Sequence, residues 1–223
     1  MPNGGAARGK PPRVLVPVPS GALLSPEDLA AAGVEPIVFG PPVELPGGGV
    51  ALRREWVADW AELFCAGNAI DAVVLGAEEP GILAGLLVAA LRLDLPAVAL
   101  PALSPFSVAL AAMGVAPLRA GAVETVARVA EAGLPRSGAL VSTFSLANAL
   151  RAGLSAGAGP ELIVHLAAVA REARVSGFSP MVRVLAPRAP PSPTRAGSGS
   201  TAPPACSPPW GTPSTTRRRW RGL

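Results

Sequence analysis

The sequence predicts an α/β fold: a layered sandwich with a mostly parallel sheet, flanking helices and a disordered C-terminal tail. Three observations predict it. Ala72 to Leu75 and Ala97 to Leu100 are continuously apolar runs too short for helices, as strands covered on both faces are. The long Leu/Ala/Val segment between them supplies the crossover that two parallel strands require. From Pro187 to Leu223 there are nine prolines, many Ser and Thr, and no Leu, Ile, Val or Phe before the last residue. A segment of that composition buries too little apolar surface to fold.

Taken in order, residues 1–12 form a Gly/Pro/Ala lead-in expected to be disordered, and residues 13–186 form the α/β domain. Val14 to Val18 reads as a strand. Ser25-Pro26-Glu27-Asp28 then offers an N-cap, a proline at the first helical position and acids in the first turn, and Gly33 a left-handed stop. Pro36 to Phe39 is a second short strand, and the Pro- and Gly-rich stretch from Gly40 to Gly49 a loop. Leu52 to Ala66 is amphipathic and capped by Gly67. Trp56, Trp60, Leu63 and Phe64 recur there at helical spacing, opposite Arg53, Arg54, Glu55, Asp59 and Glu62, so the aromatic stripe is expected to be the core face.

Gly76 to Gly81 follows the Ala72 to Leu75 strand as a loop, where open α/β sheets bind their ligands. Helices are then expected over Pro105 to Met113, Ala122 to Ala132, Ser145 to Leu154 and Pro160 to Ala173, the last opening on Pro160 with Glu161 in its first turn.

Charge separates the body from the tail. Six arginines and no acid lie from Pro187 onward, which leaves residues 1–186 with 13 basic and 15 acidic side chains and a net charge of −2. The basic character of the whole chain therefore gives no reason to assign the body a nucleic-acid or anionic-membrane partner. The two cysteines, Cys65 and Cys206, have no paired spacing, which points to a reducing compartment and against a disulfide scaffold or zinc site. Prolines interrupt the amino terminus before an apolar signal core forms, and the longest apolar run ends at Arg92, short of the roughly 20 residues a bilayer requires. The expected location is cytoplasmic.

Three segments carry a resemblance. Gly85-Leu86-Leu87-Val88-Ala89-Ala90-Leu91-Arg92-Leu93-Asp94-Leu95-Pro96-Ala97 places a charged pair within an apolar helix and its exit. Leu52 to Leu63 holds Arg-Arg-Glu ahead of the tryptophans. Phe144 to Ala173 holds Asn148-Ala149, a Gly-rich turn, and His165-Leu166 followed by Ala168 and Ala170. In this order they resemble the dihydroxy-acid dehydratase and phosphogluconate dehydratase family over about residues 35 to 175. The resemblance implies a hydro-lyase lineage that converts 2,3-dihydroxy acids to 2-oxo acids, as in branched-chain amino-acid biosynthesis. Its cofactors are an iron-sulfur cluster held by cysteines and a magnesium ion. A homodimer is implied too.

The motif residues depart from that family. Its Cys-Asp-Lys falls on Glu79-Pro80-Gly81, so thiolate, acid and amine are replaced by a carboxylate, a proline and a glycine. Its Gly-Gly-Ser-Thr-Asn turn becomes Gly157-Ala158-Gly159-Pro160-Glu161. Where the family continues into a β-rich second domain with a catalytic serine, this sequence carries the Pro/Ser/Arg tail, whose Arg217-Arg218-Arg219-Trp220-Arg221 resembles a nucleic-acid or acidic-lipid patch and for which a shifted reading frame near Pro187 is the more economical account. The expectation is a truncated, degenerate pseudoenzyme without catalytic residues, cluster or magnesium. The alternative is an α/β module binding a small acid or a protein partner. Gly157, Gly159 and His165 are the candidate anion or substrate contacts. Glu78 and Glu79 are expected in a solvated turn, and His165 is expected to be half-buried.

Overall fold

Four strands, β1 (Arg13–Pro17), β2 (Glu35–Phe39), β3 (Ala72–Leu75) and β4 (Ala97–Ala99), pair in parallel in the order β2-β1-β3-β4. The computed structural model describes residues 9–18, 24–40, 49–100, 104–115 and 121–186. The expectations for residues 1–8, for the loop segment 41–48 and for the tail from 187 lie outside them. Pro12, assigned to the lead-in, is already tied to the sheet, because its carbonyl accepts from the Glu35 amide at 2.9 Å.

Register fixes which side chains share a face. Leu15 lies opposite Ile37 and Val73, and Val73 opposite Ala97. With a period of two, Leu15, Val73, Leu75, Ala97 and Ala99 face one layer, and Val14, Val16, Ala72, Val74, Val98 and Leu100 the other. All of these are buried, so the continuously apolar strands are explained by helices on both faces.

The thinner layer holds α1 (Pro26–Ala31) and α5 (Ala122–Ala132), which contribute Leu29, Val126, Val129 and Ala130. The Ser25 hydroxyl caps α1 by accepting from the Asp28 amide at 3.0 Å, and Gly33 follows with φ +81°. The thicker layer holds α2 (Val50–Asn68), α3 (Pro80–Arg92), α4 (Pro105–Met113), α6 (Ser137–Leu140), α7 (Thr143–Ser155), α8 (Glu161–Glu172) and α9 (Phe178–Leu185). Helix α3 is buried without interruption from Gly81 to Ala90. Each of its enclosed leucines, Leu83, Leu86 and Leu87, contributes about 1.5–3 kcal/mol relative to exposure.

Helix α2 corrects the sequence reading. Its inner face is Val57, Ala58, Ala61 and Cys65, all buried, whereas Trp56, Trp60 and Leu63 are 41, 47 and 74 % exposed. The reason is the closeness of α3. A β-carbon on Gly85 would stand 2.7 Å from the Val57 β-carbon and 2.8 Å from the Arg54 carbonyl oxygen, so no bulky side chain fits between the helices. The helix also ends later than expected, at Asn68, with Ala69 rather than Gly67 in the left-handed cap at φ 50°.

Smaller differences concern ends and short elements. Pro80 and Gly81 belong to the first turn of α3 instead of a loop, and Pro160 is the N-cap of α8 instead of its first residue. Helices α6 and α9 were not anticipated. Helix α9 starts after Gly177 at φ +83° and holds Pro180 in its first turn, where a missing amide costs nothing.

Candidate functional site

The carboxyl ends of the strands gather the candidate residues on the thick-layer side. The chain leaves β1 toward β2 on one flank, and β3 lies on the other, so the sheet changes direction between β1 and β3. Gly76 to Glu79 follows β3 at this switch, the usual ligand position of open α/β sheets. The amino-terminal parts of α2, α3 and α4, each following a strand, open at the same end.

Glu79 is a helix cap. One carboxylate oxygen accepts from the Gly81 amide at 3.0 Å and the other from the Ile82 amide at 2.9 Å. This satisfies two of the orphan donors at the start of α3 and sets negative charge at its positive end. Arg53 of α2 approaches the same carboxylate at 4.0 Å. The expected solvated turn therefore describes Glu78, which is exposed, and not Glu79.

The second turn is also self-satisfied. The Gly159 amide donates to Glu161 Oε1 at 3.1 Å, and the Gly157 amide donates to the Leu154 carbonyl at 3.0 Å with Gly157 at φ +89°. Both glycine amides that the sequence offers to an anion thus have partners within the chain, and Glu161 occupies the place an anion would take.

His165 is the anomaly. Expected to be half-buried, it is fully enclosed, and neither ring nitrogen has a hydrogen-bond partner. Phe106, in the first turn of α4, meets the ring edge-on at 5.5 Å between centroids. Burial first and the Arg54 charge second push the imidazole pKa down to about 4, against the opposing pull of Glu79 and Glu161. The ring is therefore neutral at pH 7, with one donor and one acceptor nitrogen. Each unsatisfied buried polar group costs about 1–3 kcal/mol.

Arg54 locks the neighbourhood. Nearly buried, it donates through Nη1 to the Val164 carbonyl at 3.2 Å and through Nε and Nη2 to Glu55 Oε1 at 3.0 and 2.7 Å. It thereby ties α2 to α8 one residue before His165. The structure thus brings His165 into electrostatic reach of Glu79 and Glu161, two of the positions singled out from sequence. It adds Arg53, Arg54 and Phe106, which the sequence reading did not assign to a site. No spacing rule links residues 53, 79, 106 and 165; the nearest available signal was an arginine pair on an otherwise small-residue helix face.

The residues at the motif positions do not fit an iron-sulfur cluster or a magnesium ion. Glu79 uses both oxygens on backbone amides, while Pro80 and Gly81 carry no ligating group. Among the described residues the single cysteine is Cys65, buried within the α2 face, where burial pushes its thiol pKa up to about 12 and keeps it protonated. No three His, Cys, Asp and Glu side chains among the described residues are grouped to hold a metal ion. No helix among them is long and apolar enough to cross a membrane. No protein-family model matches the chain, and no curated protein matches it.

Proposed function

We propose that this chain is a degenerate relative of the dihydroxy-acid dehydratases that has kept an α/β binding module and lost the dehydration chemistry. Its ligand is a small hydroxy acid, held at the carboxyl end of the sheet beside His165. The observation that carries the reading is the enclosed imidazole with two unpartnered nitrogens. A neutral ring offers one donor and one acceptor, which a group bearing a carboxylate next to a hydroxyl satisfies together. Arg53, whose ion pair with Glu79 is stretched to 4.0 Å, supplies the charge for the carboxylate. Loss of hydro-lyase activity follows from the motif positions, where no side chain remains to hold a Lewis acid against the departing hydroxyl.

His165 is the only histidine in the chain, so its ring nitrogens give unambiguous signals in a nitrogen-15 NMR spectrum. Titration with a panel of 2-hydroxy, 2,3-dihydroxy and 2-oxo acids should move those signals and raise the melting temperature for the hydroxy acids. The ring is closed to solvent, so exchange is expected to be slow. Unmoved ring signals across the panel at millimolar ligand would defeat the binding reading. Separately, anaerobic reconstitution with iron and sulfide should leave no stoichiometric cluster and yield no 2-oxo acid from a 2,3-dihydroxy acid; a stoichiometric cluster would defeat the loss of chemistry.

A further inference from the structure

We propose that Glu79 is an internal competitor for the ligand's carboxylate: the α3 amides it caps are the carboxylate subsite, and the ligand enters by exchanging its own carboxylate for that of Glu79. The subsite belongs to the hydroxy-acid ligand assigned beside His165, and so rests on that reading. It is built for one carboxylate. The two oxygens of Glu79 meet one amide each, Gly81 at 3.0 Å and Ile82 at 2.9 Å, at the positive end of a 13-residue helix. Gly81 leaves the space that the group fills, since a β-carbon there would stand 3.0 and 3.1 Å from the two Glu79 oxygens. Arg53 adds a cation at 4.0 Å. The Glu79 side chain is 35 % exposed, so a path to water is open to it when another carboxylate takes its place.

The imidazole within reach of this cradle makes it more than a helix cap. His165 is fully enclosed with both ring nitrogens unpartnered, and the Glu79 charge acts on the ring. A cap alone gives no reason for an unsatisfied ring in its field. A carboxylate that also carries a hydroxyl supplies the ring with a partner when it replaces Glu79. Because one carboxylate replaces another, the charge of the site does not change on binding. A second anionic group would meet Glu161, whose charge acts on the same ring and whose Oε1 already holds the Gly159 amide. The ligand class is therefore the hydroxy acid with a single carboxylate, and repulsion selects against dicarboxylates and phosphorylated acids.

Titration of the full chain with lactate, a 2-hydroxy monocarboxylate, tests the proposal when the His165 ring nitrogens and the Gly81 and Ile82 amides are followed together by NMR. Wild type is compared with Glu79→Gly, Glu79→Ser and Glu79→Asp. Glycine and serine are accepted at an N-cap and aspartate restores a carboxylate, so α3 keeps its start in all three. The glycine and serine variants should bind lactate about fivefold more tightly than wild type, and the aspartate variant about as wild type does. Ring and amide signals should move together, and malate, with its second carboxylate, should bind at least about tenfold more weakly than lactate. Ring signals that move while the two amides stay still and neither neutral variant gains affinity would overturn the exchange and leave the hydroxy-acid reading standing. Amides that move without the ring would uphold the carboxylate subsite and defeat the reading of His165. Lactate inert toward every variant would overturn both, and malate matching lactate would overturn the single-carboxylate class.

Discussion

Helices α2 and α3 pack along one another and solve opposite problems. Helix α3 is surrounded: α2, α8, the sheet and the start of α4 close over it, and its buried stretch runs from Gly81 to Ala90. Helix α2 has one covered side and one bare side, and its covered side is made of small apolar residues, Val57, Ala58, Ala61 and Cys65. The difference teaches that at a close helix contact size outranks hydrophobicity. Gly85 sets the separation, Val57, Ala58 and Ala61 are what fits, and the tryptophans are displaced to the far side by volume.

If the glycine sets that separation, the largest effect in the molecule belongs to it. Gly85→Leu should cost more than about 3 kcal/mol, because its β-carbon alone meets the Arg54 backbone oxygen at 2.8 Å and α2 has to move bodily. Gly67→Ala is the matched control on the bare helix, with nothing within 4 Å of the added carbon. It should gain about 0.5–1 kcal/mol from helix propensity. Urea denaturation of both variants measures the contrast, and equal effects would remove the packing explanation.

Next in size comes the covered layer's intolerance of charge. The pKa of His165 falls from 6.5 to about 4 on folding. Above pH 6.5 neither state binds the proton; between 6.5 and 4 only the unfolded chain does, so stability drops as pH falls through this window. The loss totals about 3 kcal/mol. His165→Leu should abolish that part of the pH dependence and raise stability at pH 7 by about 1 kcal/mol, since two unpartnered nitrogens leave the interior. Denaturant midpoints from pH 4 to 7.5 for both proteins decide it; parallel curves would show that the ring is not the titrating group.

Where α3 reaches the surface, the contrast with α2 narrows. Arg92 Nη1 lies 2.7 Å from Asp59 and 3.2 Å from Glu62, Nη2 lies 3.2 Å from Glu55, and Nε lies 3.4 Å from Glu172. Burial opposes its charge, yet the Asp59 hydrogen bond, the Glu172 charge and the Glu62 hydrogen bond prevail and hold its pKa above the ordinary arginine value. Arg92→Met strands Asp59, Glu62 and Glu172 and leaves Glu55 to Arg54 alone. With those acids partly exposed and screened, the cost should be about 1–2 kcal/mol, shrinking in 1 M salt. A cost that ignores salt would assign Arg92 a packing role instead.

The same pair of helices shows how far the sequence can be read. The β3-α3-β4 unit is legible from Asp71 to Leu100 because an all-round apolar helix between two short apolar strands has few alternative placements. Helix α2 is legible as a helix, but period alone states which residues share a face and not which face is covered. The missing information was the Gly85 contact, which lies in another element. Helix α9, with a proline inside a short apolar run, offered no strong signal. The surroundings of His165 come from α2, the cap of α3, α4 and α8, so proximity in space left no mark on spacing in the chain.

The smallest effect should belong to the largest side chains. At concentrations where the chain is monomeric, Trp56→Gln or Trp60→Gln should each change stability by no more than about 1 kcal/mol, because roughly half of each indole already faces water. Val57→Ala removes two methyl groups from a fully buried position and should cost about 1–2.5 kcal/mol. Deleting two carbons inside would then cost more than deleting an indole outside. Chemical denaturation of the three variants at low micromolar protein tests the order. If either tryptophan variant proved costlier than Val57→Ala, the bare face of α2 would be a packed face, and the separation of the helix into a small inner side and a large outer side would fail.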